Sequence, residues 1–422
     1  MHADGKQRFS PDRLVVQFAA MRHLIATHAA RPSDDPIFAL NQEATARRSR
    51  GESIVNATVG ALLSDDGTLA ILPSAHDAIT RVPAAEWATY APIAGSGPFL
   101  SAIIADVLGT EKALADASVA VATPGGTGAL RHAIANFLEP GQALLTSSFY
   151  WGPYATLADE NERRVDTYNM FTPSGGYDLA ALDSKVSEHL ATQGRALLFL
   201  NDPCNNPTGY SLSDGEWTDL VNILDGQASR GPVTALIDVA YYTYAAGDPR
   251  RFVKKLVHLL GKVPLLFAWS GSKAFTHYGL RVGGLIATVS DASERTAVQS
   301  ALTYSCRGTW SNCNRGGLYA VTQLLADPEL AARCESDRTQ LRELLLRRVV
   351  AFNAEAAKRG LLYPRYEGGF FVTVFHPDAY AKAERMKARG VFVVPQKGAL
   401  RVALCAVAEH DVVRLVDSLA ED

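Results

Sequence analysis

Between about residue 118 and residue 290, short apolar runs bounded by Gly, Pro, Asn or Asp alternate with longer segments of helical period. The runs are SVAVAT, QALLTS, RRVDTYNM, ALLFLND, VTALIDV, PLLFAWS and GLIATVS. Strands alternating with helices in this way predict a mostly parallel sheet covered by helices. Between the first two runs, ALRHAIANFL repeats apolar residues at Leu130, Ile134, Phe137 and Leu138, while Arg131, His132 and Asn136 fall mainly on other faces, so an amphipathic helix is expected. Further on, LADPELAARCESDRTQLRELLLRRVVAFNAEAAKRG predicts a long helix ending at Gly360, followed by the strand-like GGFFVTVFH, GVFVVP and LRVALCAV. The pattern therefore predicts a large α/β domain over residues 81–324 and a smaller α+β domain built from 1–80 and 325–422. The first 80 or so residues join the latter because their own strand content is too sparse for an independent core.

Composition sharpens this picture mainly by exclusion. With 422 residues, 47% of them hydrophobic, and a mean hydropathy near zero, the chain can bury a large core. The 41 basic and 44 acidic residues leave a net charge of -3, which gives no reason to expect a nucleic-acid partner. Five cysteines without a C-x-x-C pair disfavour a zinc site and a disulfide framework, so no metal is expected and a reducing cytoplasm is. The opening MHADGKQRFSPDRLVVQF lacks the features of a signal peptide and no later run approaches membrane-spanning length, so a soluble intracellular protein with no membrane partner is expected. No repeat of fixed period suggests a solenoid.

Candidate chemistry gathers where the apolar runs stop. After PLLFAW, the segment Ser270-Gly271-Ser272-Lys273-Ala274-Phe275-Thr276-His277-Tyr278-Gly279-Leu280-Arg281-Val282-Gly283-Gly284 brings together hydroxyls, an amine and a guanidinium. Burial near other cations favours the neutral, nucleophilic form of a lysine. Asn201-Asp202-Pro203-Cys204-Asn205-Asn206-Pro207-Thr208-Gly209 follows ALLFL, at the strand end where ligands gather in open α/β sheets. VTALI closes on Asp238-Val239-Ala240-Tyr241, which puts a carboxylate and a phenol at the same edge. Ala122-Thr123-Pro124-Gly125-Gly126-Thr127-Gly128 offers unobstructed N–H groups at a helix start, a setting suited to phosphate. It has neither the nucleotide P-loop spacing nor the dinucleotide glycine pattern.

In collinear order from Asp35-Pro36-Ile37-Phe38 to Arg401, these segments resemble the class I, aspartate and aromatic type of pyridoxal-phosphate-dependent aminotransferases of fold type I. The resemblance implies that fold, pyridoxal 5'-phosphate as cofactor, and a homodimer with shared active sites. Its implied catalytic residues are Lys273, which holds the cofactor and moves the substrate proton, Asp238, which pairs with the pyridine nitrogen, and Tyr241, which donates to the phenolic oxygen. Asn206 would bond the same oxygen and border the substrate, and Trp151 would stack on the ring. Gly126, Thr127, Ser270, Ser272 and Arg281 would hold the phosphate, joined by Tyr90 from across the dimer. Arg401 would grip the substrate α-carboxylate and Gly60 would border it. Arg307, entering from the other subunit, would bind the distal carboxylate of a dicarboxylic substrate. The activity implied is ping-pong transfer of an amino group between an amino acid, acidic or aromatic, and a 2-oxo acid. A lyase or decarboxylase on the same scaffold is the alternative, because the cofactor-binding motifs are common to both.

Overall fold

The computed structural model describes residues 23–32 and 36–421; the opening stretch read for a signal peptide, residues 1–18, and Asp35 lie outside them. After the two-residue strand β1 (Val55–Asn56), the chain forms β2 (Ser118–Pro124), β3 (Ala143–Ser147), β4 (Arg164–Tyr168), β5 (Ala196–Asn201), β6 (Val233–Asp238), β7 (Leu265–Ser270) and β8 (Val282–Thr288). These last seven make one sheet in the order β2-β8-β7-β6-β5-β3-β4. All pairs are parallel except those of β8, which runs antiparallel to both β2 and β7. Every residue of β3, β5, β7 and β8 is buried, because helices cover both faces of the sheet, and this is why these strands read as continuous apolar runs. RRVDTYNM yields only five strand residues, since β4 is the edge strand and much of it is only partly covered.

The helix expected at ALRHAIANFL runs from Gly125 to Phe137. It is not amphipathic in the way the sequence suggests. His132, expected away from the core, is fully buried, with Nε2 3.6 Å from the Cys306 sulfur. The helix Ala292–Thr309 packs over the outer side of Gly125–Phe137, so both sides of that helix are covered. Burial holds the His132 pKa down to about 4, which keeps the imidazole neutral in this setting.

A second, three-stranded antiparallel sheet contains β9 (Val372–Phe375), β11 (Val394–Gln396) and β12 (Ala399–Val402), while β10 (Val391–Phe392) pairs in parallel with β1. GVFVVP thus supplies strands to two different sheets, and LRVALCAV leaves the strand conformation after Val402. The long helix spans Pro328–Lys358, capped by the Asp327 carboxylate on the Leu330 N–H at 2.9 Å. Gly360 follows it at φ +65°, a left-handed conformation that costs glycine little. This helix enters both cores, with Cys334 in the cluster of the large sheet and Leu345, Val349 and Phe352 in the cluster of the small one. Leu72, Ala75 and Ala78, inside the 1–80 span expected for the small domain, pack with the large sheet instead, because the helix Pro73–Thr80 lies against the helix Arg315–Ala326. No helix among the described residues is long and apolar enough to cross a membrane.

Candidate active site

Strand register brings the candidate residues to one edge. Asn201 lies opposite Asp238 in the β5–β6 pair, Asp238 lies opposite Ala268 in the β6–β7 pair, and β7 ends two residues later at Ser270. Because β8 runs the other way, it starts at this edge, and the residue before it, Arg281, arrives beside the end of β2, where Pro124 pairs with Val282. The Arg281 carbonyl accepts the Gly125 N–H at 3.0 Å, and its Nη1 donates to Ser272 Oγ at 3.1 Å. A Cβ on Gly125 would come within 2.9 Å of the Arg281 Cζ, and one on Gly126 within 3.3 Å of the Ser270 Cβ, so glycine is what lets the guanidinium and the serines close on the helix start. Gly126 and Thr127 sit in the first turn of that helix, whose amides have no intrahelical acceptor. Guanidinium, hydroxyls and helix N-terminus together form an anion-binding cradle.

Lys273 follows on the short helical turn Gly271–Ala274. Its Nζ donates to the Gly60 carbonyl at 2.8 Å and lies 4.5 Å from the centre of the Tyr278 ring and 5.6 Å from that of Tyr241. Burial lowers the Lys273 pKa to about 8, and the charges of Arg281 and Arg401 act in the same direction. A substantial fraction of the amine is therefore neutral near physiological pH, as a nucleophile and proton acceptor requires.

Asp238 is 5% exposed. The Tyr154 hydroxyl donates to its Oδ2 at 2.7 Å and the Ala240 N–H to its Oδ1 at 3.2 Å, and no cation among the described residues pairs with it. Burial pushes its pKa up to about 6, with both hydrogen bonds pulling the other way. Asn206 is anchored by its N–H on the Asn201 side-chain oxygen at 2.6 Å and directs its Nδ2 at the Tyr241 hydroxyl, 3.4 Å away. Trp151 meets the Tyr154 ring edge-on at 5.9 Å.

From the small sheet, Arg401 on β12 donates to the Thr58 carbonyl at 2.5 Å and stacks over Phe371 at 4.8 Å. The Tyr278 hydroxyl accepts the Leu62 N–H at 3.0 Å. Three side chains thus tie down the segment 58–62, which contains Gly60. Tyr154, Tyr278 and Thr58 escaped the sequence reading. The available signal for Tyr154 was its place one helical turn after Trp151, where its N–H bonds the Trp151 carbonyl at 2.9 Å. Tyr90 and Arg307 are not drawn into this constellation on the single chain. Tyr90 is 85% exposed, and Arg307 is exposed with Nη1 on Ser311 Oγ at 2.8 Å.

The family model described as aminotransferase class I and II matches residues 52–419. The chain belongs to this aminotransferase family. Among curated relatives, the aspartate aminotransferase of Pseudomonas aeruginosa is 28% identical over 348 residues, covering 80% of this chain and 85% of the relative. The tyrosine aminotransferase of Rhizobium meliloti is 28% identical over 386 residues, covering 90% and 96%. Among solved structures, an aminotransferase from Anaerococcus prevotii superposes with a TM-score of 0.90 at 30% identity, covering 95% of this chain and 99% of the other.

Pyridoxal 5'-phosphate is the cofactor of this aminotransferase family, and the donor set fits it. Asp238 is a buried carboxylate that no cation among the described residues pairs with, and a protonated ring nitrogen would complement it. The glycine-lined cradle at Arg281 suits the phosphate, and the partly neutral Lys273 suits the aldehyde.

Proposed function

We propose that this aminotransferase moves an amino group between an acidic or aromatic amino acid and a 2-oxo acid by ping-pong exchange, the first oxo acid leaving before the second enters. The carrying observation is the partly neutral amine of Lys273 at the same sheet edge as the buried Asp238, which no cation among the described residues pairs with. When bound, pyridoxal phosphate supplies an electron-withdrawing ring that acidifies the substrate's α-hydrogen. Arg281, Ser270, Ser272 and the first-turn amides of Gly126 and Thr127 would bind its phosphate. Trp151 would cover the ring face, Asn206 and Tyr241 would donate to the phenolic oxygen, and Asp238 would accept from the ring nitrogen. Lys273 would hold the cofactor through its amine, and the neutral Nζ is the group that would accept the substrate's α-proton and return it.

Arg401 grips the α-carboxylate, with Gly60 and Asn206 bordering it. Similarity to an aspartate aminotransferase and a tyrosine aminotransferase supports acidic and aromatic substrates. A homodimer with shared sites accounts for Tyr90 and Arg307: each is exposed on one chain, as a residue serving a second copy must be. In this reading Tyr90 reaches the phosphate and Arg307 the distal carboxylate of a dicarboxylic substrate. The large domain takes in the helix Pro73–Thr80 as well as about 81–324, and the small domain comes from the rest of both termini. A cytoplasmic setting suits the buried free thiols.

Borohydride reduction of the holoenzyme followed by peptide mapping tests the assignment, with the expected tag on Lys273; a tag elsewhere would overturn it. Steady-state kinetics with an amino acid and an oxo acid should give parallel double-reciprocal lines. Intersecting lines, or release of ammonia or carbon dioxide from the amino acid alone, would favour a lyase or decarboxylase.

A further inference from the structure

The segment that carries Arg307 also grips the one that carries Tyr90. Arg307 lies in the last turn of the helix Ala292–Thr309, and the next helix, Arg315–Ala326, is capped by Asn314, whose side chain accepts the Gly317 N–H at 3.0 Å. Between the two helices, the Asn312 side chain accepts the Ala91 N–H at 2.7 Å and donates to the Ala91 carbonyl. Arg315, first in its helix, reaches the residue before. Its Nη1 donates to the Tyr90 carbonyl at 3.0 Å, while Nε and Nη2 donate to the two carboxylate oxygens of Glu86 at 2.7 and 3.2 Å. The helix Ala84–Ala88, which leads into Tyr90, rests on the same helix start through Trp87 against Gly316.

We propose that Arg315 is the positioning residue of Tyr90, holding it in the direction in which it meets the cofactor phosphate of a second copy. This rests on the cross-dimer reading of Tyr90 given above. Tyr90 is 85% exposed, so its own chain offers the phenol little to lean on and the backbone beneath it sets its direction. That backbone is what Arg315 holds. The Arg315 and Glu86 side chains are 33% and 25% exposed, and an ion pair this wet adds little to stability. Its fork geometry fixes orientation instead: one planar guanidinium spans a carboxylate and a carbonyl at once, which a lysine amine cannot do in a single plane. The hydrogen bond from Arg315 keeps the Glu86 carboxyl below its ordinary range, so the pair remains ionised at neutral pH. Arg315 touches neither cofactor nor substrate; it acts through Tyr90.

Hybrid dimers of two differently tagged chains separate this role from a structural one. Where one chain carries Lys273→Ala, the absorbance of lysine-bound pyridoxal phosphate forms only on the other, intact chain, and the Tyr90 serving that site comes from the Lys273→Ala chain. Arg315→Ala on the Lys273→Ala chain should raise the pyridoxal phosphate Kd of the intact site about tenfold. The same substitution on the intact chain should leave it within about twofold. Tyr90→Phe, in the same two placements, is the control, and adding Arg315→Ala to Tyr90→Phe on the Lys273→Ala chain should raise the Kd no further. Equal rises of Kd from both placements of Arg315→Ala, or none from either, would overturn the proposal. If Tyr90→Phe acts from the Lys273→Ala chain and Arg315→Ala does not, only the role of Arg315 is lost; if Tyr90→Phe is silent in both placements, the cross-dimer reading of Tyr90 falls with it. Should Arg315→Ala chains not assemble into hybrids, Glu86→Gln decides by itself: a rise of Kd from the Lys273→Ala chain alone supports the proposal, and any other pattern overturns it.

Discussion

Lys273 and Asp238 are shifted in opposite directions by the same cause. Burial disfavours charge, so it lowers the amine to about 8 and raises the acid to about 6. For the amine, the neutral form gains as pH rises. Capture of pyridoxal phosphate by the apoprotein should therefore accelerate as pH climbs through about 8 and then level off, as followed by absorbance after rapid mixing. Lys273→Ala should lower turnover by roughly 10²–10⁴-fold or more and abolish borohydride tagging. For the acid the sign is the reverse of a salt-bridged carboxylate. Between pH 3.8 and about 6 the folded apoprotein binds more protons at Asp238 than the unfolded chain, so this group's contribution to stability falls as pH rises through that window. Asp238→Asn should accordingly stabilise the apoprotein at neutral pH, on the order of 2 kcal/mol by denaturant melts, while weakening cofactor binding. An unchanged or lower apoprotein stability would contradict this account. The sequence placed Lys273, Asp238 and Asn206 at run ends and so made them legible. Tyr154 was not, because nothing in a lone tyrosine inside a short helix indicates which carboxylate it will reach.

At the scale of elements, the site depends on one reversal of direction. The runs forecast a mostly parallel sheet, but only the antiparallel course of β8 explains how Arg281 reaches the edge where β2, β6 and β7 end. Gly125, at φ +67°, is the joint that permits this close approach. Gly125→Ala would impose both a left-handed alanine, at roughly 1–2 kcal/mol, and a clash with the Arg281 guanidinium. It should raise the cofactor Kd at least about tenfold in a titration of the apoprotein, with a smaller loss of thermal stability. The correction at His132 comes from the same scale. A helical period reveals one buried face, but whether a second layer covers the other face depends on where the helix Ala292–Thr309 packs, some 160 residues later in the chain.

For the whole molecule, the decisive question is whether Arg307 and Tyr90 act across two copies. Arg307→Ala should reduce kcat/KM for a dicarboxylic substrate by about 10–100-fold and spare aromatic ones. Mixing offers a sharper measurement. Co-expressed Lys273→Ala and Arg307→Ala chains should form hybrids in which one site carries both native residues, restoring part of the dicarboxylic turnover. If Arg307 served its own chain, neither site of the hybrid would be complete and no turnover would return.

The amino-acid sequence by itself determined the fold class, the family and the set of strand-end residues, because apolar period and short motifs are local properties that survive without coordinates. The tertiary structure alone decided that His132 is inside, that Leu72, Ala75 and Ala78 serve the large core, that Gly60 holds the Lys273 amine, and that Tyr154 meets Asp238. Each of these is a contact between segments far apart in the chain. Strand register and helix packing fix such contacts, and no local pattern encodes them.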